Sequence, residues 1–252
     1  MRFPFHNQAA TFMERPNRFL VRVSLMPGGE AVYAHCPDPG RLAELLLPGA
    51  TVYVSRDSGQ SVRTTEYTLR FVEHPSEGIL VSVVSRLAND LFREALAEGV
   101  FPSLAAYTRV RAEVPLPPME DQRMRSRADF RLEGDGLCPC WLEVKSATLV
   151  VNGSAYFPDA VTERGRRHLS HLRRMAAGGE RCAVCFVVQR PDAHVLRPQW
   201  DRDPAFAREM LLALQAGVEF YACTTLITPA EARVMKEIPV RPEAPTHLRA
   251  GG

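Results

Sequence analysis

Ser126-Arg127-Ala128-Asp129-Phe130-Arg131-Leu132, a short loop, and then Trp141-Leu142-Glu143-Val144-Lys145-Ser146 form the stretch on which the reading of this chain turns. Side chains on a strand alternate between faces, so Glu143 and Lys145 share one face while Leu142 and Val144 take the other. The loop from Glu133 to Pro139 holds two Gly and a Pro, so the two runs are expected as adjacent hairpin strands, with Asp129 near Glu143. Two carboxylates so placed repel, and a hard cation such as Mg²⁺ resolves the repulsion. Lys145 beside them can hold a water or stabilise charge building on a phosphate.

The bland alternative is that both acids cap loops and Lys145 is a solvated strand residue, because short motifs recur by chance. Two features weigh against it. The chain has 31 cationic residues, of which only Lys145 and Lys236 are lysines, so a generic surface cation here is nearly always Arg. The strand around Lys145 is otherwise apolar, so the charges interrupt a run that would bury well.

Outward from this stretch, the periodicity predicts a helix from Arg86 to Glu98 capped by Ser85, strands at Val110 to Leu116, Ala128 to Leu132 and Cys140 to Ala147, and a helix from Thr162 to about Ala177. A strand Arg181 to Gln189, a helix Pro204 to Ala216 and a strand Val218 to Thr225 follow, giving an α-β-β-β-α-β order with a further α-β. Upstream, strands are expected at Phe19 to Leu25, Glu30 to Ala34, Thr51 to Ser55, Glu66 to Val72 and Ile79 to Ser85, with a short helix Arg41 to Leu47 among them. Five short strands with one helix suggest a small β-barrel of the OB kind. The expected organisation is an OB-like domain over 1–84, an α/β domain over 85–238 and a loose tail over 239–252.

Composition narrows the class. The chain has 252 residues, 46% hydrophobic and 24% charged, which suits one large or two modest globular domains. It has no apolar run long enough to span a membrane and no apolar stretch behind its first charge, so a cytoplasmic protein is expected. A net charge of +2 carries no global signature for nucleic acid. Six Cys are expected as free thiols, and Cys182 and Cys185 as core residues on opposite faces of a strand.

Several longer segments carry a resemblance: Arg15-Pro-Asn-Arg-Phe19, Ala34-His-Cys-Pro-Asp-Pro-Gly-Arg-Leu42, Glu44-Leu-Leu-Leu-Pro-Gly49, Ser126-Arg-Ala-Asp-Phe130, Glu143-Val-Lys-Ser146 and Phe157-Pro-Asp-Ala-Val-Thr-Glu-Arg-Gly-Arg-Arg-His-Leu169. Across nearly its whole length the chain resembles the sugar fermentation stimulation protein A (SfsA) family. Many members carry Asn-Thr where this chain has Asp38-Pro39, and Arg where it has Val62. The resemblance implies an N-terminal OB-like β-barrel, a C-terminal α/β domain of the PD-(D/E)xK restriction-endonuclease-like kind, DNA binding and, by superfamily analogy, Mg²⁺-dependent phosphodiester cleavage. It also implies that Asp129 and Glu143 hold the metal, Mg²⁺ or Mn²⁺, and that Lys145 positions the attacking water. Glu94 and Glu113 are the candidates for a further acid, with Glu113 preferred because its run leads directly into the Asp129 strand.

Phosphate contact needs cations. Arg164, Arg166, Arg167, Arg173 and Arg174 cluster on or near the helix starting at Thr162, and Arg125 and Arg127 lie just before Asp129. Arg41 is a second phosphate candidate, with a salt bridge to Glu44 as its plain alternative. His168 is a candidate for phosphate, His171 is expected at the surface, and Asp159 and Glu163 are expected as helix caps. The expected activity is Mg²⁺-dependent hydrolysis of DNA, single-stranded or otherwise, with RNA left open. A non-catalytic DNA-binding regulator on a nuclease-like fold is the rival, and a homodimer is an open alternative.

Overall fold

The computed structural model describes residues 1–56, 65–118 and 126–244. Its first domain holds β1 (Gln8–Asn17), β2 (Leu20–Leu25), β3 (Ala31–His35), β4 (Thr51–Arg56), β5 (Tyr67–Glu73) and β6 (Leu80–Ser82). They form a sheet in the order β3-β2-β1-β4-β5-β6, and the pairing of Ala34 and His35 with Tyr67 and Thr68 closes the first five strands into a barrel. Val21, Val23, Ala34, Val52, Val54 and Leu69 fill its interior. The segment that sequence periodicity misses is β1. Its alternation is broken by two register shifts against β2, and Ala9, Ala10 and Pro16 are weak strand formers. The expected fifth barrel strand is instead β6, which pairs only with β5 and lies outside the closure.

The expected helix Arg41 to Leu47 is a single turn. Leu46 N–H donates to Leu42 O at 2.9 Å, but Leu42 has φ +49°, in the left-handed region from which a right-handed helix cannot start. Val62 and Arg125, both named above, lie outside the described residues.

The second domain contains α1 (Leu87–Ala97), β7 (Arg109–Pro115), β8 (Arg127–Glu133), β9 (Cys140–Ala147), β10 (Leu149–Val151), β11 (Ser154–Phe157), α2 (Glu163–Ala177), β12 (Arg181–Val188), β13 (Val195–Pro198), α3 (Pro204–Gln215), β14 (Glu219–Ile227) and β15 (Ala232–Glu237). Six of the strands form a mixed sheet, order β15-β14-β12-β9-β8-β7, whose central trio β9, β12 and β14 is parallel. One face packs Leu142, Val144, Cys185 and Val187 against Leu91, Phe92 and Ala95 of α1. The other packs Trp141, Val184 and Phe186 against Leu169 and Leu172 of α2 and Phe206 and Met210 of α3. Cys182 and Cys185 indeed belong to opposite faces, and all six Cys are free.

Local capping differs from expectation at two helices. The residue before α1 is Arg86, and no side chain caps that end, so Ser85 does not act as predicted. At α2 the cap is Thr162, whose Oγ1 accepts from Gly165 N at 3.0 Å, while Asp203 accepts from Thr162 N at 2.9 Å. Asp159 is therefore not the cap, nor is Glu163, which is already inside the helix. The expected tail from Pro239 is tied down at its start, because Leu196 N donates to Pro239 O and Arg241 N to Leu196 O, and its residues 245–252 lie outside the described residues.

Several polar contacts join the domains, beside an apolar cluster in which Phe71 of the barrel is buried together with Leu91 and Phe92 of α1. The amino terminus of Met1 lies 2.9 Å from Glu94 Oε2 and Phe3 N donates to Ala230 O, while the Phe3 ring meets Phe71 of β5 and Arg70 of β5 lies over the Phe5 ring, so the first residues bridge the two domains. Arg190, fully buried after β12, reaches Glu77 in the turn between β5 and β6. Leu42 N donates to Asp159 Oδ2 at 3.2 Å. A Cβ added at Gly40 would stand 2.5 Å from that same Oδ2, too close for either atom to remain in place. Gly40→Ala is therefore expected to cost about 1–3 kcal/mol by overpacking this junction, read by denaturant unfolding. Adding Asp159→Ala should recover part of the loss, and a strictly additive pair would show that the clash is not the cause.

Candidate active site

The hairpin of β8 and β9 pairs Phe130 with Leu142, which sets Asp129 beside Glu143 in the ladder. Pairing ends there because the Asp129 side chain enters the ladder itself: its Oδ2 accepts from Val144 N at 2.7 Å. Its Oδ1 accepts from Asn89 Nδ2 on α1 at 3.2 Å. Sequence reasoning overlooked Asn89. The available signal was a lone amide next to the apolar stripe Leu87, Ala88, Leu91, Phe92 of α1.

Glu143 is buried, at 6% exposure, on the face covered by α2. One of its oxygens, Oε1, takes both Lys145 Nζ at 2.5 Å and His168 Nδ1 at 2.8 Å. A carboxylate only accepts, so Nδ1 of His168 carries the proton. The two acids are thereby driven apart electrostatically. Burial, and then the charge of Glu143, push Asp129 up to about 6. For Glu143, burial acts in the same upward direction, but Lys145 and His168 outweigh it and hold the group down at about 2.

A stability profile follows from these opposed shifts. Between its ordinary range and about 6, the folded chain binds the Asp129 proton better than the unfolded chain does, so stability falls as pH rises through that window. Glu143 has the opposite sign and loses its contribution only as pH falls towards about 2. Asp38 is also pushed up to about 6, by burial first, so it shares the upper window. In metal-free protein Asp129→Asn is expected to flatten part of that slope and to raise stability near neutrality by roughly 1–3 kcal/mol, measured by thermal melts across pH. An unchanged slope would remove Asp129 as its source.

The remaining candidates divide. Arg127 is exposed at the start of β8, and Arg164, Arg166 and Arg167 are exposed on α2. Arg173 is not free, because its Nε lies 2.7 Å from Glu209 Oε1. Arg41 is exposed, and among the described residues its guanidinium makes no salt bridge to Glu44. His171, expected at the surface, is buried at 2% exposure with Nε2 3.1 Å from Pro117 O. It faces the sheet because it stands next to Leu172 on the inner side of α2.

Neither further acid joins the pair. Glu94 is taken by the amino terminus of Met1. Glu113 sits in edge strand β7 between the pairs Ala112–Phe130 and Val114–Ala128, but it is exposed, with φ +53°. Among the described residues, no hydrogen bond or ion pair ties it to Asp129, Glu143 or Lys145. No group of three or more His, Cys, Asp and Glu among those residues is arranged to hold a metal. No described helix is long and apolar enough to cross a membrane.

Comparison with known proteins places this geometry. The family model described as the SfsA N-terminal OB domain matches residues 13–83, and that of the sugar fermentation stimulation protein RE domain matches residues 86–231. The sugar fermentation stimulation protein homolog of Moorella thermoacetica is 43% identical over 232 residues, spanning 92% of this chain and 95% of that protein. That of Chloroflexus aurantiacus is 42% identical over 231 residues, spanning 92% and 84%. A solved structure described as Pyrococcus furiosus SfsA in complex with Ca²⁺ is similar with a TM-score of 0.82 and 26% identity, over 96% of this chain and 98% of that one.

Proposed function

The chain belongs to the sugar fermentation stimulation protein family, and from that premise we propose that it binds nucleic acid and hydrolyses its phosphodiester bonds with Mg²⁺ or Mn²⁺. The observation that carries this reading is the pair Asp129 and Glu143, with Lys145 on the second carboxylate. Burial and then the charge of Glu143 hold Asp129 up at about 6, and a divalent cation between the two acids would offset both. Mg²⁺ needs only one or two protein carboxylates when waters and substrate phosphates complete its shell, so the absence of a third acid among the described residues is no obstacle. The Ca²⁺ in the solved relative supports a hard-cation site in this fold.

Asp129 and Glu143 are the residues that would hold the cation. When bound, it would supply Lewis acidity at the phosphate and a water of lowered pKa. The protein contributes position. Val144 N and Asn89 fix the Asp129 carboxylate, and His168 fixes the Glu143 carboxylate from the opposite side to the strand. Lys145, anchored on Glu143, holds its ammonium where a nucleophilic water or a developing phosphate charge can use it. Arg127 and Arg164 flank the site as phosphate contacts, and the OB domain supplies a second nucleic-acid surface.

The rival reading is a DNA-binding regulator that does not cut. It is favoured by the occupation of Glu143 Oε1 by Lys145 and His168, which already balances that charge without metal. Calorimetric titration of Mg²⁺ and Mn²⁺ into wild type and Asp129→Ala, followed by incubation with labelled single- and double-stranded DNA and RNA, separates the two. The nuclease reading expects binding and cleavage in wild type and neither in the variant. Nucleic-acid binding with no heat of metal binding and no cleavage would establish the regulator.

A further inference from the structure

Between α2 and α3, on the far side of α2 from the sheet, lies an open groove of about 420 Å³. Arg166, Arg167 and Ser170 line it from α2, and Arg208, Ala205 and Leu212 from α3. The three arginines are exposed, and their guanidinium groups make no hydrogen bond or ion pair within the described residues. One carboxylate also borders the groove, that of Glu209, but Arg173 already neutralises it at 2.7 Å. The groove is thus strongly cationic, and its floor is partly apolar, since Leu212 is 47% exposed.

Guanidinium forks suit phosphate, and an exposed Leu beside them suits the face of a base or the edge of a sugar. The groove, at about 420 Å³, has room for about one nucleotide. Its position also matters. Arg167 lies about 100° and Arg166 and Ser170 about 160° around α2 from His168, the residue bound to Glu143, so the groove opens on the side of α2 away from the metal pair. We propose that the α2–α3 groove holds one nucleotide of an unpaired strand that runs over α2 from the Glu143 site, with Arg166, Arg167 and Arg208 on its phosphate and Leu212 against its base. The inference rests on the nucleic-acid reading above and deepens it, naming a single-stranded segment as the substrate feature and Arg208, on a different helix from the other cations, as a contact.

Arg208 is exposed and remote from Asp129, so its replacement tests the groove without touching the metal pair. The full chain as wild type, Arg208→Gln and Arg208→Lys would be titrated without divalent metal against a labelled single-stranded oligodeoxynucleotide and a blunt duplex of equal length, over a salt series. Arg208→Gln should bind the single strand about tenfold more weakly, with a salt slope shallower by about 0.7. Its duplex affinity and its Mg²⁺ isotherm should match wild type, and Arg208→Lys should restore the slope but only part of the affinity. An unchanged single-strand affinity and slope in Arg208→Gln, or an equal loss on duplex and single strand, would overturn the groove while leaving the nucleic-acid reading intact. Wild type that binds neither oligonucleotide would overturn both, and is recognised before any variant is compared.

Discussion

Lys145→Met is expected to bind Mg²⁺ at least as well as wild type and to cleave about 10²–10⁴-fold more slowly. The divergence between the two readouts comes from where Lys145 sits. Its ammonium lies 2.5 Å from Glu143 Oε1, so it competes with a cation for that carboxylate. Removing it leaves His168 alone on Glu143 and frees the acid to serve as a ligand. The same removal takes away the group that holds the nucleophilic water or the developing phosphate charge. Metal calorimetry paired with a cleavage time course reads both halves. Cleavage at the wild-type rate would strip Lys145 of its role, and loss of metal binding together with cleavage would make it a structural support of Glu143 only. Lys145→Arg is not a conservative control, because a planar fork cannot place one compact charge as an ammonium does.

Arg190→Met is expected to produce the largest loss of stability, about 3–5 kcal/mol, the range for breaking a buried ion pair by removing one partner. Arg190 is fully buried. Its Nε and Nη2 reach Asp192 at 2.7 and 2.6 Å, and Nη2 also reaches Glu77 of the first domain. Burial alone works against its charge, yet Asp192 and then Glu77 hold its pKa above the ordinary value. Without the guanidinium, Glu77 and Asp192 face each other at the domain junction, where Glu77 keeps His74 Nδ1 at 3.6 Å. In a chain of this size the thermal midpoint should fall by about 2–4 °C for each kcal/mol. A variant that melts with the wild type would show that the junction does not depend on the Arg190 ion pairs.

Much of the second domain was legible in one dimension. The strand Cys140–Ala147 and the helix ending at Ala177 have the boundaries that their periodicity and Gly178-Gly179 predict. The same holds for the proximity of Asp129 and Glu143, because a hairpin with a short Gly-containing loop leaves few registers open. Thr162, Asn89 and Arg208 were less visible. A capping hydroxyl, an amide and a surface arginine look alike in sequence until the partner they face is known.

What the sequence determined by itself was local: alternation along β8 and β9, the apolar stripes of α1 and α2, the turn residues between them, and hence the motif Asp129, Glu143, Lys145. Those features depend on neighbours a few residues away, where strand and helix periods act directly. Tertiary structure decided the rest. It placed β1 in the barrel despite its broken alternation, made Leu42 the start of a turn, buried His171 under α2 and gave Glu94 to the amino terminus. It also brought Glu77 to Arg190 and Arg208 to Arg166, across 113 residues in the first case. Contacts at that separation are selected by which faces pack and which charges need a partner once buried, and no local period encodes either.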